Sequence, residues 1–206
     1  MSVSEELDRL ERHPHVVRLR RSLAEHPSLV VRPEPNMRLA AILLALRARA
    51  DGEPELLMIK RAEAEGDPWS GHIACPGGRM EDGDNDLAVT AVRETLEETG
   101  VDVARDGRLL GHLDDISPRT PVLPPIVVRP YVAIVTPEVR LELSDEVAAA
   151  FWAPLDRLRH PDAAFEATVV VRGEEQRVPA LRHADYTIWG MTERIFRDFL
   201  RRLADA

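Results

Sequence analysis

Three glutamates set close together on one segment carry the clearest chemistry of this 206-residue chain. Residues 87–100 read LAVTAVRETLEETG, a spacing that predicts a helix capped by Asn85 or Asp86 and ended by Gly100 in a left-handed turn. At about 100° per residue, Glu94, Glu97 and Glu98 share one face. Ala88, Val89, Val92, Thr95 and Leu96 gather opposite them and are expected to pack on a sheet. Three like charges within a turn repel one another, so stability offers no reason to cluster them. A hard divalent cation does, because Mg²⁺ or Mn²⁺ takes several oxygen ligands and keeps some of its waters. An isolated E-x-x-E-E also describes a solvated acidic face, and it is the surroundings that tip the balance. Pro76, Gly77 and Gly78 precede the helix, where a backbone without side chains can approach a ligand closely and offer carbonyls. Arg93 stands four residues before Glu97, the spacing at which it orients that carboxylate through a charge-assisted bond.

The elements that must hold these residues follow from pattern. Residues 4–26 are charged, with apolar positions at helical spacing, and are broken at Pro14. They predict one or two short helices covering the core or a partner, with Arg18, Arg20 and Arg21 on a solvated face. PSLVVRPEPN is a proline-broken connector. Residues 38–48 and 55–60 flank a turn-like ADGEP and predict two strands of one sheet, and residues 63–72 are loop. Further strands are expected at 108–114 and 126–135, separated by a proline-rich loop. Residues 145–158 suggest a short helix followed by a strand or turn. Residues 167–179 suggest a hairpin turning at Gly173, and residues 190–204 an amphipathic helix. Trp189 and Gly190 are expected to pack that last helix on the sheet.

At this point a family likeness can be stated. The segment GGRMEDGDNDLAVTAVRETLEETGV resembles the Nudix box, G-x5-E-x7-R-E-U-x-E-E-x-G-U, where U is a bulky aliphatic. Arg93, Glu94, Glu97, Glu98, Gly100 and Val101 match residue for residue, and Thr95 stands where an aliphatic is usual. Counting back from Arg93 puts Asn85 at the first Glu and Arg79 at the Gly. Counting from Gly78 gives Asp84 the acidic place and lengthens the loop by one residue, a variant that resembles the coenzyme A pyrophosphatase branch. SGHIACPGG (70–78), LLGHLDDISP (109–118), DEVAAAFWAPLDRL (145–158) and YTIWGMTERIFRDFL (186–200) are similar to later blocks of that branch, with Cys75 replacing a Phe.

The resemblance implies an α+β fold, a Nudix-type α/β/α sandwich with a mixed sheet between helices. Residues 1–36 would form a helical extension packed on a Nudix domain of residues 37–206. It also implies water attack on a phosphoanhydride, achieved through positioning and charge neutralisation. Glu94, Glu97 and Glu98, with the Gly78 carbonyl, would hold Mg²⁺ or Mn²⁺. Arg93, Glu94 and Glu97 would be catalytic. The general base would be a carboxylate of the box or a remote one, with Glu146 the candidate, although an exposed Glu opening a helix describes it equally well. Arg61 would contact a substrate phosphate or form a surface ion pair. Gly77 would lie against the substrate, and Trp69, beside Asp67 and Pro68, would stack on a base or close the core. Cys75 reads as a small buried hydrophobe, and His72 and His112 receive no role. The first substrate expectation is coenzyme A or acyl-CoA, although KRAEAEGDPWSG lacks the basic residue that branch carries. The alternatives are ADP-ribose, a dinucleotide or a nucleoside triphosphate, and a nucleotide-sensing domain without turnover, which would have no need of the full glutamate set.

Composition limits the rest. A net charge of -9 argues against a general nucleic-acid binder, since phosphate backbones need clustered Lys and Arg. A single cysteine excludes an intramolecular disulfide and a cysteine-built metal site. MSVSEELDRLERH has no apolar core of signal-peptide length, and no run approaches the roughly 18 residues of a membrane span. The expectation is a cytoplasmic protein with a small nucleotide partner, no nucleic acid and no membrane, and a homodimer left open.

Overall fold

A computed structural model describes residues 2–66, 69–118, 125–171 and 173–204. Two helices open the chain, α1 (Val3–Glu11) and α2 (Pro14–Glu25), broken at Pro14 as the pattern predicts. The strands β1 (Arg38–Ala48) and β2 (Pro54–Arg61) then pair antiparallel around the expected turn. Two short strands follow, β3 (Ile73–Ala74) and β4 (Gly77–Arg79), then α3 (Leu87–Thr99), α4 (Val103–Asp106), β5 (Gly107–His112) and β6 (Ile126–Val135). The chain ends with β7 (Val147–Pro154), α5 (Leu155–Arg159), β8 (Ala164–Val171), β9 (Glu174–His183), β10 (Tyr186–Trp189) and α6 (Met191–Ala204).

Among the described residues, β1 to β7 form one mixed sheet in which β3, β2, β1, β6 and β5 lie side by side, with β4 also on β1 and β7 also on β2. The β1–β6 pair is parallel and the other pairs are antiparallel. β8, β9 and β10 make a second, antiparallel sheet. β1 is buried on both faces, which explains why its sequence is a continuous apolar run. Ala41, Leu43 and Ala45 face α3. Leu44 and Leu46 face a second core with Phe196 and Phe199 of α6. Helices therefore cover both faces of the sheet, an α/β/α arrangement.

One edge of β1 is shared. Its first part (Ala40–Ile42) pairs with β4, and its end (Leu46–Ala48) pairs with β2. Between them β2 turns away to pair with β7 and β3. This fork sets Gly77 and Gly78 on one side and Arg61 on the other, under the C-terminal half of α3.

Two expectations need correction. Residues 145–158 run in the opposite order, strand β7 first and then the short helix α5. The stretch EVAAAFWAP has helix-forming alanines, but tertiary pairing with β2 along Glu55–Arg61 overrides that preference. The buried line of α3 is also not the one expected. Leu87, Ala91 and Thr95 face β1 with Thr90, Glu98 and Thr99, while Val89 and Leu96 are exposed. Small residues let the helix approach the sheet, and the threonine hydroxyls are satisfied within it. Thr95 Oγ1 donates to the Ala91 carbonyl at 2.7 Å and Thr99 Oγ1 to the Thr95 carbonyl at 2.5 Å. A threonine bonded back in this way buries like an aliphatic residue, which accounts for Thr95 at an aliphatic place of the box.

Candidate active site

Residue 86 decides where α3 begins. The Asp86 carboxylate accepts from the Ala88 and Val89 amides at 2.8 and 2.9 Å, so Asp86 and not Asn85 is the cap. Gly100 closes the helix at φ 75°. The loop before the helix is fixed by Asp84, whose side chain is buried. It receives Arg93 Nε at 3.0 Å and Arg93 Nη2 at 2.9 Å, together with the Glu81 amide and the Thr90 hydroxyl. The Arg93 guanidinium holds the Asp84 carboxyl well below the usual carboxylate range, and Asp84 in turn raises the arginine. Arg93 also donates to the Arg79 carbonyl at 3.1 Å and to Glu97 at 2.8 Å, the orientation that the i,i+4 spacing predicts. Asp84, the acidic residue of the glycine-aligned box, thus binds Arg93 rather than facing the glutamates.

Glu94 and Glu98, one turn apart, come together over β4. Glu98 is buried and accepts the Gly77 amide at 2.8 Å. A Cβ placed on Gly78 would fall 2.3 Å from Glu94 Oε1, so only a glycine lets the strand lie this close to the carboxylate. Burial raises the pKa of both acids, that of Glu98 to about 7. Arg93 opposes the rise at Glu94, and the Gly77 amide and Arg61 oppose it at Glu98. Glu146 adds its negative charge to both. Glu97 stands apart. It sits about 60° round the helix from Glu94, and its exposed carboxylate is drawn to Arg93. Among the described residues, no three His, Cys, Asp or Glu side chains already converge as a finished coordination sphere. The donor types suit a hard cation: the carboxylates of Glu94 and Glu98, a further glutamate within a turn, and bare backbone at Gly78.

Of the remaining expected residues, Glu146 and Arg61 meet at the same fork. Glu146 follows a loop tied to the end of α3, where the Glu142 amide donates to Thr99 at 2.8 Å and the Ser144 amide to Glu98 at 3.2 Å. Its own carbonyl accepts the Ala62 amide, placing it beside Arg61. The reading of Glu146 as the start of a helix is displaced, because β7 begins at Val147. Trp69 lies half-buried in the turn before β3, and its carbonyl accepts the His72 amide at 3.1 Å. Asp67 and Pro68 lie outside the described residues. Cys75 is buried and burial pushes its thiol up, so it is no nucleophile. Arg18, Arg20 and Arg21 are engaged by the Leu203 carbonyl, Glu11 and Glu25, respectively.

Known proteins can now be set beside this geometry. The family model of the NUDIX domain matches residues 37–185. The chain belongs to the Nudix family. A Cronobacter sakazakii protein described as an uncharacterized Nudix hydrolase NudL is 33% identical over 177 residues, covering 82% of this chain and 85% of its own. Its Escherichia fergusonii counterpart of the same description is 31% identical over 170 residues, covering 79% of this chain and 81% of its own. In fold, the chain is similar to a MutT/nudix family protein from Enterococcus faecalis, with a TM-score of 0.58 at 21% identity over 100% of this chain and 75% of that one. It is also similar to a MutT protein from Methanosarcina mazei, with a TM-score of 0.51 at 19% identity over 84% and 96%. As a Nudix hydrolase the chain is a pyrophosphohydrolase of phosphorus-containing anhydrides, an activity that fits an acid cluster of this kind. No helix among the described residues is long and apolar enough to cross a membrane.

Sequence reasoning missed three features of this Nudix hydrolase. The clamp of Asp84 on Arg93 was legible only as an alternative alignment of the box. The pair Asp115–Arg129, joined at 2.8 Å through both oxygens, fixes the segment after β5. The same Asp115 accepts the Val31 amide at 2.9 Å, binding the connector. Charge spacing carried no signal for these two, because the partners meet only in the fold.

Proposed function

We propose that this Nudix hydrolase splits the phosphoanhydride of a nucleoside diphosphate derivative, and that coenzyme A or acyl-CoA is the substrate to test first, giving 3′,5′-ADP and (acyl)phosphopantetheine. The observation that carries the reading is the pair of acids, part-buried Glu94 and buried Glu98, pressed against the bare backbone of Gly77 and Gly78. Glu94, Glu97, Glu98 and the Gly78 carbonyl would hold Mg²⁺ or Mn²⁺. The cation would supply charge neutralisation on diphosphate oxygens and acidify a bound water. Arg93, fixed by Asp84, holds the Glu97 carboxylate within a turn of Glu94 and Glu98. Arg61, across the fork, would meet a substrate phosphate, and Gly77 leaves room for the substrate to lie on β4. Glu146 would take the proton of the attacking water, and Trp69 would border the entrance. Residues 1–36 are read as an extension packed on a domain beginning near residue 37. The proposed setting is the cytoplasm, with a homodimer as the assembly to test.

One observation favours another nucleotide over coenzyme A. Among the described residues, the loop after Arg61 is closed by an acid: Ser70 Oγ donates to Glu63 Oε2 at 2.7 Å and accepts the Ala64 amide at 2.9 Å. A 3′-phosphate there would meet a negative charge. A panel of coenzyme A, acetyl-CoA, ADP-ribose, a dinucleotide and a nucleoside triphosphate, assayed with Mg²⁺ and read by product mass, tests both readings. Coenzyme A giving no 3′,5′-ADP while another nucleotide is cleaved would reject the first substrate. Equal rates of substrate hydrolysis by wild type and Glu97→Gln, read by product mass, would reject the metal-site reading altogether.

A further inference from the structure

His72 and Trp189 meet at the mouth of the fork, their ring centroids 4.6 Å apart and their planes tilted by 53°. Neither ring is fully buried. The position of the pair relative to the site is fixed from two directions. The His72 carbonyl accepts the Arg61 amide at 3.0 Å, so the imidazole begins one ladder step from the arginine assigned to a phosphate. Trp189 ends β10, and two residues on, Met191 packs against the buried cluster of Ala40, Ile126 and Val128 that Ile42 also packs on, and Ile42 is the residue paired in register with Gly77. The aromatic pair therefore stands between the Gly77 strand and the Arg61 end of β2.

The core does not need this indole. Ile188 faces the core from the same strand and is fully buried, and Ile195, Phe196 and Phe199 close the layer beneath α6. Strand alternation turns Trp189 to the other side of β10, where it packs on His72 and not under the helix as the sequence suggested. Gly190, at φ 70°, then turns the chain into α6. An amphipathic ring half-exposed beside a phosphate-handling residue suits a planar heteroaromatic group, since every nucleobase offers a π-face.

We propose that Trp189, supported by His72, is the platform on which the nucleobase of the substrate stacks. This rests on the nucleoside diphosphate reading above and adds to it the subsite for the base. Stacking holds the ground state and the transition state alike, so its loss belongs in KM and not in kcat.

The experiment compares ADP-ribose with 5-phosphoribosyl 1-pyrophosphate, an anhydride that carries no base, in wild type, Trp189→Ala, Trp189→Phe and His72→Ala. The expected result for Trp189→Ala is a KM for ADP-ribose about 10-fold higher relative to that for the base-free substrate, with kcat changed less than about twofold. Trp189→Phe should recover most of the loss, and His72→Ala should show a smaller shift of the same kind. Calorimetric titration of ADP gives the same comparison without turnover. If Trp189→Ala shifts both substrates equally, or shifts neither, or lowers kcat while KM stands still, the platform is wrong. Should Trp189→Ala not fold, an unchanged KM ratio in both Trp189→Phe and His72→Ala would overturn it as well. Wild type that hydrolyses no nucleotide of the panel above would reject the proposed reaction, yet weaker ADP binding by Trp189→Ala would still support the platform.

Discussion

Asp84 and Arg93 meet as a two-point ion pair, Nε to Oδ1 at 3.0 Å and Nη2 to Oδ2 at 2.9 Å, between the loop ahead of α3 and the helix itself. The contact joins the fold to the chemistry. The same guanidinium that closes the loop also turns Glu97.

Removing the charge of Asp84 should therefore cost stability as well as geometry. A buried pair broken on one side loses about 3–5 kcal/mol. Arg93 keeps some solvent and Asn retains some of the hydrogen bonds, so Asp84→Asn is expected to cost roughly 2–3 kcal/mol at pH 7. The folded pKa of Asp84 lies below that of the unfolded chain, about 3.9. Its contribution is then fully present above the unfolded value and is lost as the pH falls through the folded one. Urea titrations of wild type and variant should show a constant gap from pH 5 to pH 8 and a narrowing gap below pH 4. A gap that widened with acid would refute the assignment.

Glu98 has the opposite linkage. Burial raises its folded pKa to about 7, above the roughly 4.3 of an unfolded glutamate. The folded state then binds the extra proton, so the metal-free protein should lose stability as the pH rises from about 4.3 to about 7 and level off beyond. With about 1.4 kcal/mol per unit, the full swing is on the order of 4 kcal/mol. Melting curves in EDTA at pH 5 and pH 8 measure most of it. Glu98→Gln should flatten the dependence while abolishing Mg²⁺-dependent hydrolysis, and a wild-type protein equally stable at both pH values would contradict the assignment.

The two adjacent glycines make a sharper pair of tests. At Gly78 the added methyl meets the flexible end of Glu94, so Gly78→Ala should fold normally and act by displacing that carboxylate. Its kcat/KM is expected to fall about 10²-fold, the scale of losing one preorganised electrostatic contact. At Gly77 the methyl would lie 2.3 Å from the Ala41 carbonyl, on backbone that cannot yield, at φ 152°. Gly77→Ala should thus cost about 1–3 kcal/mol of stability or more. Melting temperature and kinetics measured together separate the two. Equal melting temperatures would show that β4 is less constrained than the geometry indicates.

The sequence revealed this site wherever chemistry and local order coincide. Glu94, Glu98, Gly77 and Gly78 could be read because a single helix and the strand before it supply them, and helical spacing fixes which acids align. The inward line of α3 was read correctly at Thr95 but misread at Val89 and Leu96, which are exposed, and at Thr99, which buries its hydroxyl by bonding back to the helix. β7 was read as a helix first because its alanines carry no signal for the strand partner that β2 provides. Trp189 was expected to pack the last helix on the sheet, because single-sequence reading cannot see that Ile188 takes the core side of the strand while the indole meets His72.

The two ends of the chain yield the last prediction. The matched family region, residues 37–185, leaves out α1, α2 and α6, yet these helices fill one side of the sheet. Leu7, Leu10, Val16 and Leu19 lie in the same buried cluster as Leu44, Leu46, Phe196 and Phe199, and Val16 and Leu19 are fully enclosed. Buried Arg202 adds a polar tie, donating to the His26 carbonyl at 3.0 Å and to Asp114 at 2.8 Å. The opening helices should therefore act as core and not as an appendage. Leu19→Ala is expected to cost about 2–5 kcal/mol by chemical denaturation. A chain starting at residue 27 should expose this cluster, bind a hydrophobic dye and lose its cooperative melting transition. If that shortened chain kept a sharp transition within a few degrees of wild type, the extension would be dispensable and the buried leucines incidental.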